Sequence, residues 1–434
     1  FYDPAGNIVQ ISDRMADQVI DGVQFVTNTR RFEYDPLYRL TRAEGRMHLD
    51  ARAVPCRNHE FVAPLHPLQN PSHIQNLYQD YDFCYRYDPA GHFLRNDEYM
   101  PSASIQYQST RPDRFDGAGI EVGDYEYDAN GNMVHSPCHA LLEWDYEERL
   151  ASSIETAPVA VLAAPPLLRY LYDAAGTRVL KVSKSHRCVV YADNVFELLI
   201  EQQNGQLSLH RREHILDGDQ RVALYDESNY GAANSPLYYH GDHLGSTNAV
   251  SSGDGRFVDQ ESYFAFGLAS DRRLVATDNR LFNAKTLDHE SGLYYFGSRY
   301  YDPRIGRFVS PDRLMLGLSA EGLDLSVTSR SLSTLRSSLA HNLYAFAHDS
   351  PLVARDVDGQ LWFIPVILGV LIGVAIDLAA QKFIEKKTFS RSAPPEQQIS
   401  WKSLVVSGVA GGLTGGAGSW IAKGTWRLIA ANID

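Results

Sequence analysis

Cysteine is scarce in this chain of 434 residues, which carries only Cys56, Cys84, Cys138 and Cys188. These residues stand far apart and form no CxxC pair, so their spacing excludes a typical zinc site and is too sparse for a disulfide framework. We expect ordinary buried thiols. The sequence also contains no GxSxG nucleophile motif and no cofactor-binding motif, and it begins without an initiator Met or a signal peptide. We interpret it as a piece of a longer protein.

Positive charge is in short supply as well. The 40 Lys and Arg residues are outnumbered by 53 Asp and Glu, which gives a formal charge of −13. An acidic chain lacks the basic face that nucleic-acid phosphates require. The balance changes after residue 360, where 7 Lys and Arg stand against 4 Asp and Glu and the chain becomes apolar. The change predicts a domain boundary near residue 360.

Tyrosine, in contrast, is abundant, with 25 residues, and four of them begin a repeated Tyr-Asp-x-x-Gly motif. In this motif Asp caps a turn through its own backbone, and Gly supplies the positive φ that precedes the next strand. Apolar residues then return in alternation, which is typical of β-hairpins. Copies begin at Tyr2, Tyr87, Tyr127 and Tyr172, with degenerate copies at Tyr34 and Trp144.

A single hairpin cannot bury its apolar face, so the copies must stack into a continuous sheet. The sequence therefore predicts a mainly β chain built as a long ribbon of hairpins. The irregular spacing of the copies favours a wound ribbon with excursions over a uniform solenoid.

A dense set of motifs between residues 238 and 359 resembles the core of the RHS and YD-repeat families. These families include the C subunits of insecticidal toxin complexes, bacterial polymorphic toxins and animal teneurins. The matching segments are Tyr239–Thr247, Tyr263–Gly267, Gly292–Pro303, Gly306–Asp312 and Asn342–Phe346.

The resemblance implies a hollow shell wound from the strand ribbon, closed at one end by the core domain. The shell would hold the polypeptide that follows, typically a toxin. It also implies three domains: a repeat shell over residues 1–235, a core over 236–360, and a variable hydrophobic C-terminal segment over 361–434. We expect that last segment to be helical.

In several bacterial relatives the core is an aspartyl autoprotease, and its residues carry over by motif position onto Arg299, Asp312 and Asp356. Two close carboxylates can share a proton, and an Arg can stabilise the oxyanion. The predicted cleavage region comprises Gly359, Gln360 and Leu361. The usual D-P-x-G-L motif is altered, because Val357 replaces Pro and Gln360 replaces Leu. The alternative is that both carboxylates only cap turns in a plug that never cleaves.

His240 and His243 flank Asp242 and invite a metal interpretation, but no third ligand follows. We expect a hydrogen-bonded structural role for them and predict no metal site.

The segment from residue 361 allows two interpretations. An uncharged run of sixteen residues begins at Leu361, and a later stretch repeats glycine at Gly408, Gly412 and Gly416. These runs could form a membrane-active helical hairpin. Alternatively they form a hydrophobic leader within the shell, which we favour because Asp377 would be costly inside a membrane.

The sequence is compatible with two functions. The first is a secreted or injected toxin shell. It encloses its own C-terminal passenger, which self-cleavage would release. Its partners would be further shell or delivery subunits and an immunity protein. Under the hairpin interpretation, residues 361–434 would also contact a membrane. We expect no nucleic acid to be bound by the repeats. The second is a non-catalytic cell-surface adhesion protein anchored by its tail.

Overall fold

The computed structural model describes most of the chain before residue 360. The described residues are 1–20, 24–48, 78–89, 91–98, 104–108, 111–116, 125–155, 167–183, 187–203, 206–218, 220–228, 236–273, 279–313, 342–356 and 359. The chain divides into two compact units, Phe1–Gln360 and Leu361–Asp434, and every described residue belongs to the first. The expectations for residues 361–434 therefore lie outside the described residues.

Antiparallel strands dominate the first unit, as the repeats predict, and chain neighbours pair with one another. A five-stranded sheet contains β1 (Gln10–Ile20), β2 (Gln24–Tyr34), β3 (Leu40–His48), β4 (Tyr78–Tyr87) and β5 (Phe93–Asn96). Two hairpins follow, formed by β6 (Ser104–Gln108) with β7 (Arg111–Asp116) and by β8 (Glu126–Tyr127) with β9 (Met133–His135).

The largest sheet is a twelve-stranded meander in strict chain order. Its strands are β10 (His139–Trp144), β11 (Leu150–Glu155), β12 (Leu167–Tyr172), β13 (Arg178–Ser183), β14 (Arg187–Ala192), β15 (Phe196–Gln203), β16 (Gln206–Asp217), β17 (Gln220–Ser228), β18 (Leu237–Gly241), β19 (Thr247–Ser252), β20 (Phe257–Tyr263) and β21 (Ala269–Arg273). The predicted domain boundary at residues 235–236 falls between β17 and β18 of this sheet, and these two strands are paired.

A small four-stranded sheet completes the unit and carries the most buried part of the chain. It contains β22 (Thr286–Asp288), β23 (Leu293–Tyr295), β24 (Tyr300–Asp302) and β25 (Arg307–Phe308). Short 3₁₀ turns lie at Phe282–Ala284 and Ala347–Asp349. Aromatic side chains from this sheet, including Tyr301 and Phe308, pack into the main hydrophobic core together with Phe346 and those of β4 and β5.

The Tyr-Asp-x-x-Gly motif folds into one repeated turn. In its first copy Asp3 Oδ1 accepts the backbone N–H groups of Ala5 and Asn7 at 2.9 and 2.8 Å. Gly6 takes a φ of +93°, which a side chain would disfavour. The carboxylate thus caps the turn through local backbone bonds, as the sequence predicts.

The degenerate copies have the same turn geometry. Asp35 and Asp145 each accept backbone N–H groups two and four positions ahead, although Tyr38 and Glu148 replace the glycine. Both replacements take positive φ, at 65° and 58°. The same turn occurs at Asp242, where the sequence search found no repeat. The turn therefore depends on the Asp more than on the Gly.

The repeats are also tied to one another by their aromatic residues. Five aromatic residues each donate a polar group to the backbone carbonyl five positions after the Asp of an earlier turn, as Tyr34 does to Ile8 at 2.8 Å. The further bonds of this set are Tyr87 to Leu40, Trp144 to Met133, Tyr172 to Leu150 and Tyr263 to Thr247. The aromatic position is therefore a hydrogen-bonding link between successive hairpins as well as a core residue.

Buried charges join the twelve-stranded sheet to the small one. Arg178 and Lys181 of β13 contact the two oxygens of Asp288 in β22 at 2.6 and 3.0 Å, and Asp288 is fully buried. Glu290 gives Lys181 a second partner at 3.0 Å. Burial lowers the pKa of Lys181, but the charges of Asp288 and Glu290 outweigh that effect and hold it above its usual range.

Two further expectations can be compared with the described residues. Cys138 is buried as predicted, whereas Cys84 and Cys188 are only partly buried, and Cys56 lies outside the described residues. Within the part of the chain that the structure describes, no helix is long and apolar enough to cross a membrane.

Candidate autoproteolytic site in the core

Arg299 lies in the turn between β23 and β24, and its side chain is 5% exposed. The backbone N–H of Phe296 bonds to the Arg299 carbonyl at 2.9 Å and closes this turn, while Gly297 supplies a φ of +102°. The guanidinium lies over the ring of Phe308 at 3.6 Å from its centroid. Stacking on a buried ring limits the rotation of a long side chain and fixes where its N–H groups point.

Asp312 follows β25 and lies against Arg299. Its Oδ2 is 3.1 Å from Arg299 Nη2, and the side chain is buried. The backbone of Leu343 connects the two residues, because its carbonyl accepts the Asp312 N–H at 2.9 Å and Arg299 Nη1 at 3.1 Å. Leu343 stands 31 residues after Asp312 in the sequence, so this bond brings together two distant parts of the chain.

Asp356 and Gly359 complete the cluster. Gly359 donates its backbone N–H to Asp356 Oδ1 at 2.8 Å, and Arg299 Nε donates to the Gly359 carbonyl. Gly359 has a φ of +76°, and a Cβ there would stand 3.0 Å from Phe296 Cβ and 3.2 Å from the Arg299 nitrogen. Glycine is therefore required at this position for both conformation and space. Gln360 and Leu361 lie outside the described residues.

The three residues predicted from sequence, Arg299, Asp312 and Asp356, are thus close together. Arg299 Nη2 faces both carboxylates, at 3.1 Å from Asp312 and 3.9 Å from Asp356. A carbonyl that Arg299 also touches is polarised, which is the arrangement that oxyanion stabilisation requires.

A cleft of about 790 Å³ opens beside the cluster. Arg299, Asp312 and Gly359 line it, together with residues of two repeat turns such as Glu148 and Ala175. The cleft therefore reaches the cluster, although the side chains of Arg299 and Asp312 are buried.

Sequence reasoning missed two contributors to the site. Phe308 and Leu343 both belong to motifs that carry the family resemblance, but their contacts with Arg299 involve a ring face and a backbone carbonyl. Neither kind of contact leaves a residue-type signal that resembles catalytic chemistry.

The histidine pair has hydrogen-bonded partners, as predicted. His240 contacts the Ser251 hydroxyl at 2.9 Å, and His243 contacts the Leu352 carbonyl at 2.8 Å. Among the residues that the structure describes, no three His, Cys, Asp or Glu side chains form a metal-binding group.

No protein-family model matches the chain. Curated relatives do match it. It is 26% identical to toxin subunit YenC1 of Yersinia entomophaga over 386 residues, which are 82% of this chain and 36% of that protein. It is 25% identical to toxin protein Tse5 of Pseudomonas aeruginosa over 347 residues, which are 65% of this chain and 24% of that protein. The chain thus spans about a third or less of the length of these relatives.

Solved structures give the same result for the fold. The crystal structure of TcdB2-TccC3 matches 83% of this chain and 17% of that chain, with a TM-score of 0.63 and 22% identity. The Tc holotoxin pore of Photorhabdus luminescens matches 84% of this chain and 17% of that chain, with the same TM-score and identity. The solved structures confirm the mainly β RHS-shell fold, and the curated relatives confirm the resemblance to RHS-repeat toxins.

Proposed function

We propose, on the premise that this chain has the RHS/YD-repeat fold, that residues 1–360 are part of the shell of a toxin and enclose a C-terminal passenger. The observation that carries this proposal is the set of five aromatic-to-carbonyl bonds between Tyr34 and Tyr263, each of which ties a hairpin to a preceding turn. Such a ribbon gives a scaffold and no chemistry of its own. The relatives are named as toxin subunits or toxins, which supports secretion or injection as the route of delivery.

Limited proteolysis tests enclosure. If residues 361–434 lie inside a shell, added protease leaves them intact in the native protein and removes them after partial denaturation. Rapid degradation of residues 361–434 in the native protein, seen only when protease is added, would contradict enclosure.

The partners proposed for this chain follow the same resemblance. The matched structures contain TcdB2 together with TccC3, so a second subunit that completes or delivers the shell is the first partner to seek. An immunity protein and membrane contact by residues 361–434 are further proposals. Dye leakage from liposomes on addition of a 361–434 peptide tests the membrane contact, and absence of leakage would contradict it.

We further propose that the core is an autoprotease, and that Arg299, Asp312 and Asp356 have different roles. Arg299 stabilises the oxyanion, because its Nε already donates to the Gly359 carbonyl. Asp356 orders the turn, since its Oδ1 accepts the Gly359 N–H at 2.8 Å. Asp312 remains as the general base that takes a proton from water.

The proposed reaction is a hydrolysis with one transferred proton. Water attacks the polarised carbonyl carbon while Asp312 takes its proton, and the electron pair of the C=O bond moves to the oxygen facing Arg299. Collapse of this intermediate breaks the C–N bond, and Asp312 returns the proton to the leaving nitrogen. In this scheme the two carboxylates do not share a proton, because Asp356 is assigned to ordering the turn and Arg299 Nη2 contacts both side chains.

Intact-mass analysis over time tests the proposal and locates the bond. Cleavage after Gly359 matches the carbonyl that Arg299 contacts, whereas cleavage after Gln360 would require the chain to shift by one residue. Asp312→Asn should abolish the fragment. Asp226→Asn is the matched control, because Asp226 pairs with Arg212 at 2.9 Å in the twelve-stranded sheet and does not touch the cluster. A full-length wild-type chain that persists for days would refute self-cleavage.

A further inference from the structure

The tripeptide Asn342–Tyr344 connects the proposed cleavage site to two repeat turns. Leu343, its middle residue, supplies the carbonyl that accepts both the Asp312 N–H and Arg299 Nη1. The residues on either side point to the shell: Asn342 Nδ2 donates to the Gly91 carbonyl at 2.8 Å, and the Tyr344 hydroxyl donates to the Gly131 carbonyl at 2.7 Å.

The two carbonyls belong to the same position of two different repeats. Gly91 and Gly131 are the glycines of the turns that begin at Asp88 and Asp128, with φ values of +83° and +91°. Tyr344 is buried and meets Tyr127 edge to face at 5.9 Å, so its ring is fixed by the same turn that accepts its hydroxyl. The repeat turns therefore hold the tripeptide in place, and the tripeptide in turn positions Arg299 and Asp312 through the carbonyl of Leu343.

Other contacts support the same segment without reaching the reacting groups. The Phe308 N–H bonds to the Tyr344 carbonyl at 3.0 Å, and the Tyr344 N–H bonds to Asn342 Oδ1 at 3.1 Å. Arg307 Nη2 donates to the Gly91 carbonyl at 3.0 Å, which gives that turn a second bond from the core. Phe308 is also the ring on which Arg299 stacks. A shift of Tyr344 would therefore move both the carbonyl and the ring that orient Arg299.

We propose that Asn342 and Tyr344 are positioning residues that make the cleavage geometry depend on the assembled repeat turns at Gly91 and Gly131. This inference rests on the proposed self-cleavage. It means that the chain becomes competent to cut only when the shell around the core has formed, so an incompletely folded chain does not release its passenger early.

The test uses Tyr344→Phe in the full 434-residue chain, which removes one hydroxyl and keeps the ring. Tyr34→Phe is the matched control, because Tyr34 makes the same kind of bond at 2.8 Å to a repeat carbonyl in the five-stranded sheet. We expect Tyr344→Phe to slow self-cleavage by about three- to tenfold, as for the loss of one buried hydrogen bond, and to shift the pH–rate profile. Tyr34→Phe should leave both unchanged.

Hydrogen exchange at the Asp312 amide gives a readout that does not require cleavage. Its N–H bonds to Leu343, so exchange should accelerate in Tyr344→Phe and not in Tyr34→Phe. Asn342→Ala serves as the second variant if Tyr344→Phe does not fold, with the same expected acceleration.

The outcomes separate the two proposals. Unchanged exchange in the Tyr344 and Asn342 variants would overturn the positioning role, as would an unchanged cleavage rate in a wild type that cleaves. Faster Asp312 exchange in a chain that never cleaves would support the positioning role and refute self-cleavage.

Discussion

Replacing Asp288 by Asn should be among the most destabilising single changes in the described unit. The substitution removes the anion between Arg178 and Lys181 while it keeps the shape of the side chain. Asp288 has no exposed surface and the two cations are nearly buried, so solvent cannot replace the lost charge. Breaking a buried pair in this way costs about 3–5 kcal/mol. Because Glu290 still compensates Lys181 at 3.0 Å, we expect the lower end, about 3 kcal/mol.

Urea denaturation followed by tryptophan fluorescence measures this loss. With a denaturant slope of about 2–3 kcal/mol/M, the midpoint should fall by about 1 M or more. Asp82→Asn is the matched control, because Asp82 contacts Arg42 at 2.7 Å but is 53% exposed, and exposed pairs contribute at most about 1 kcal/mol. If Asp288→Asn were no more destabilising than Asp82→Asn, the buried charges would not be what joins the two sheets.

Three further predictions concern the pH dependence of stability, the aromatic bonds between hairpins and the candidate cleavage site. Burial raises the pKa of Glu98 to about 8, against hydrogen bonds from Tyr85 and the Phe266 backbone. Since this folded-state pKa lies above the unfolded value, stability should be full below about pH 4.5 and fall as pH rises through 8, and Glu98→Gln should flatten denaturation curves measured between pH 5 and 9. Tyr172→Phe removes the bond to the Leu150 carbonyl and should cost about 0.5–1.5 kcal/mol in urea denaturation; no loss would contradict the linking role of the aromatic position. Gly359→Ala should slow self-cleavage by at least about tenfold in intact-mass time courses while the urea midpoint stays near wild type, because the new methyl group meets Phe296 and the Arg299 backbone. Cleavage at the wild-type rate would show that the observed turn is not the reactive one.

Most of the scaffold could be predicted from the sequence, because the motifs that form its turns are local. An Asp that accepts N–H groups two and four positions ahead, followed by a residue with positive φ, is fixed within five residues, so the turns at Asp3 and Asp173 could be predicted from the motif alone. The turn at Asp242 could not be predicted from the motif, because Gly241 stands directly before the Asp, where the other copies have an aromatic residue. The aromatic links to carbonyls of the preceding hairpin could not be predicted, since they depend on how successive hairpins are offset.

The candidate site was predictable only in part, for a related reason. Resemblance indicated Arg299, Asp312 and Asp356, whose residue types suit the chemistry. It gave no information on the contacts of the guanidinium, whose Nη2 lies 3.1 Å from Asp312 and 3.9 Å from Asp356. The role of Leu343 lies in a backbone carbonyl, and any residue type presents one, so no sequence pattern could single it out.

The altered cleavage motif can be understood as a modified repeat turn. Asp356-Val-Asp-Gly359 has the same Asp-x-x-Gly frame as Asp3-Pro-Ala-Gly6, and both glycines take positive φ, at +76° and +93°. In the scaffold turn one carboxylate oxygen accepts the N–H groups two and four positions ahead. At Asp356 the Oδ1 accepts the N–H three positions ahead, and the Oδ2 lies 3.9 Å from Arg299 Nη2. Among the described contacts, the one with Arg299 distinguishes the carboxylate of Asp356 from that of Asp3. Restoring Pro at position 357 by Val357→Pro tests whether the altered motif matters to the turn: if Val357 serves only as a substitute for Pro, the variant cleaves at the wild-type rate, whereas a change in rate would mean that the altered residue itself sets the reactivity of the turn.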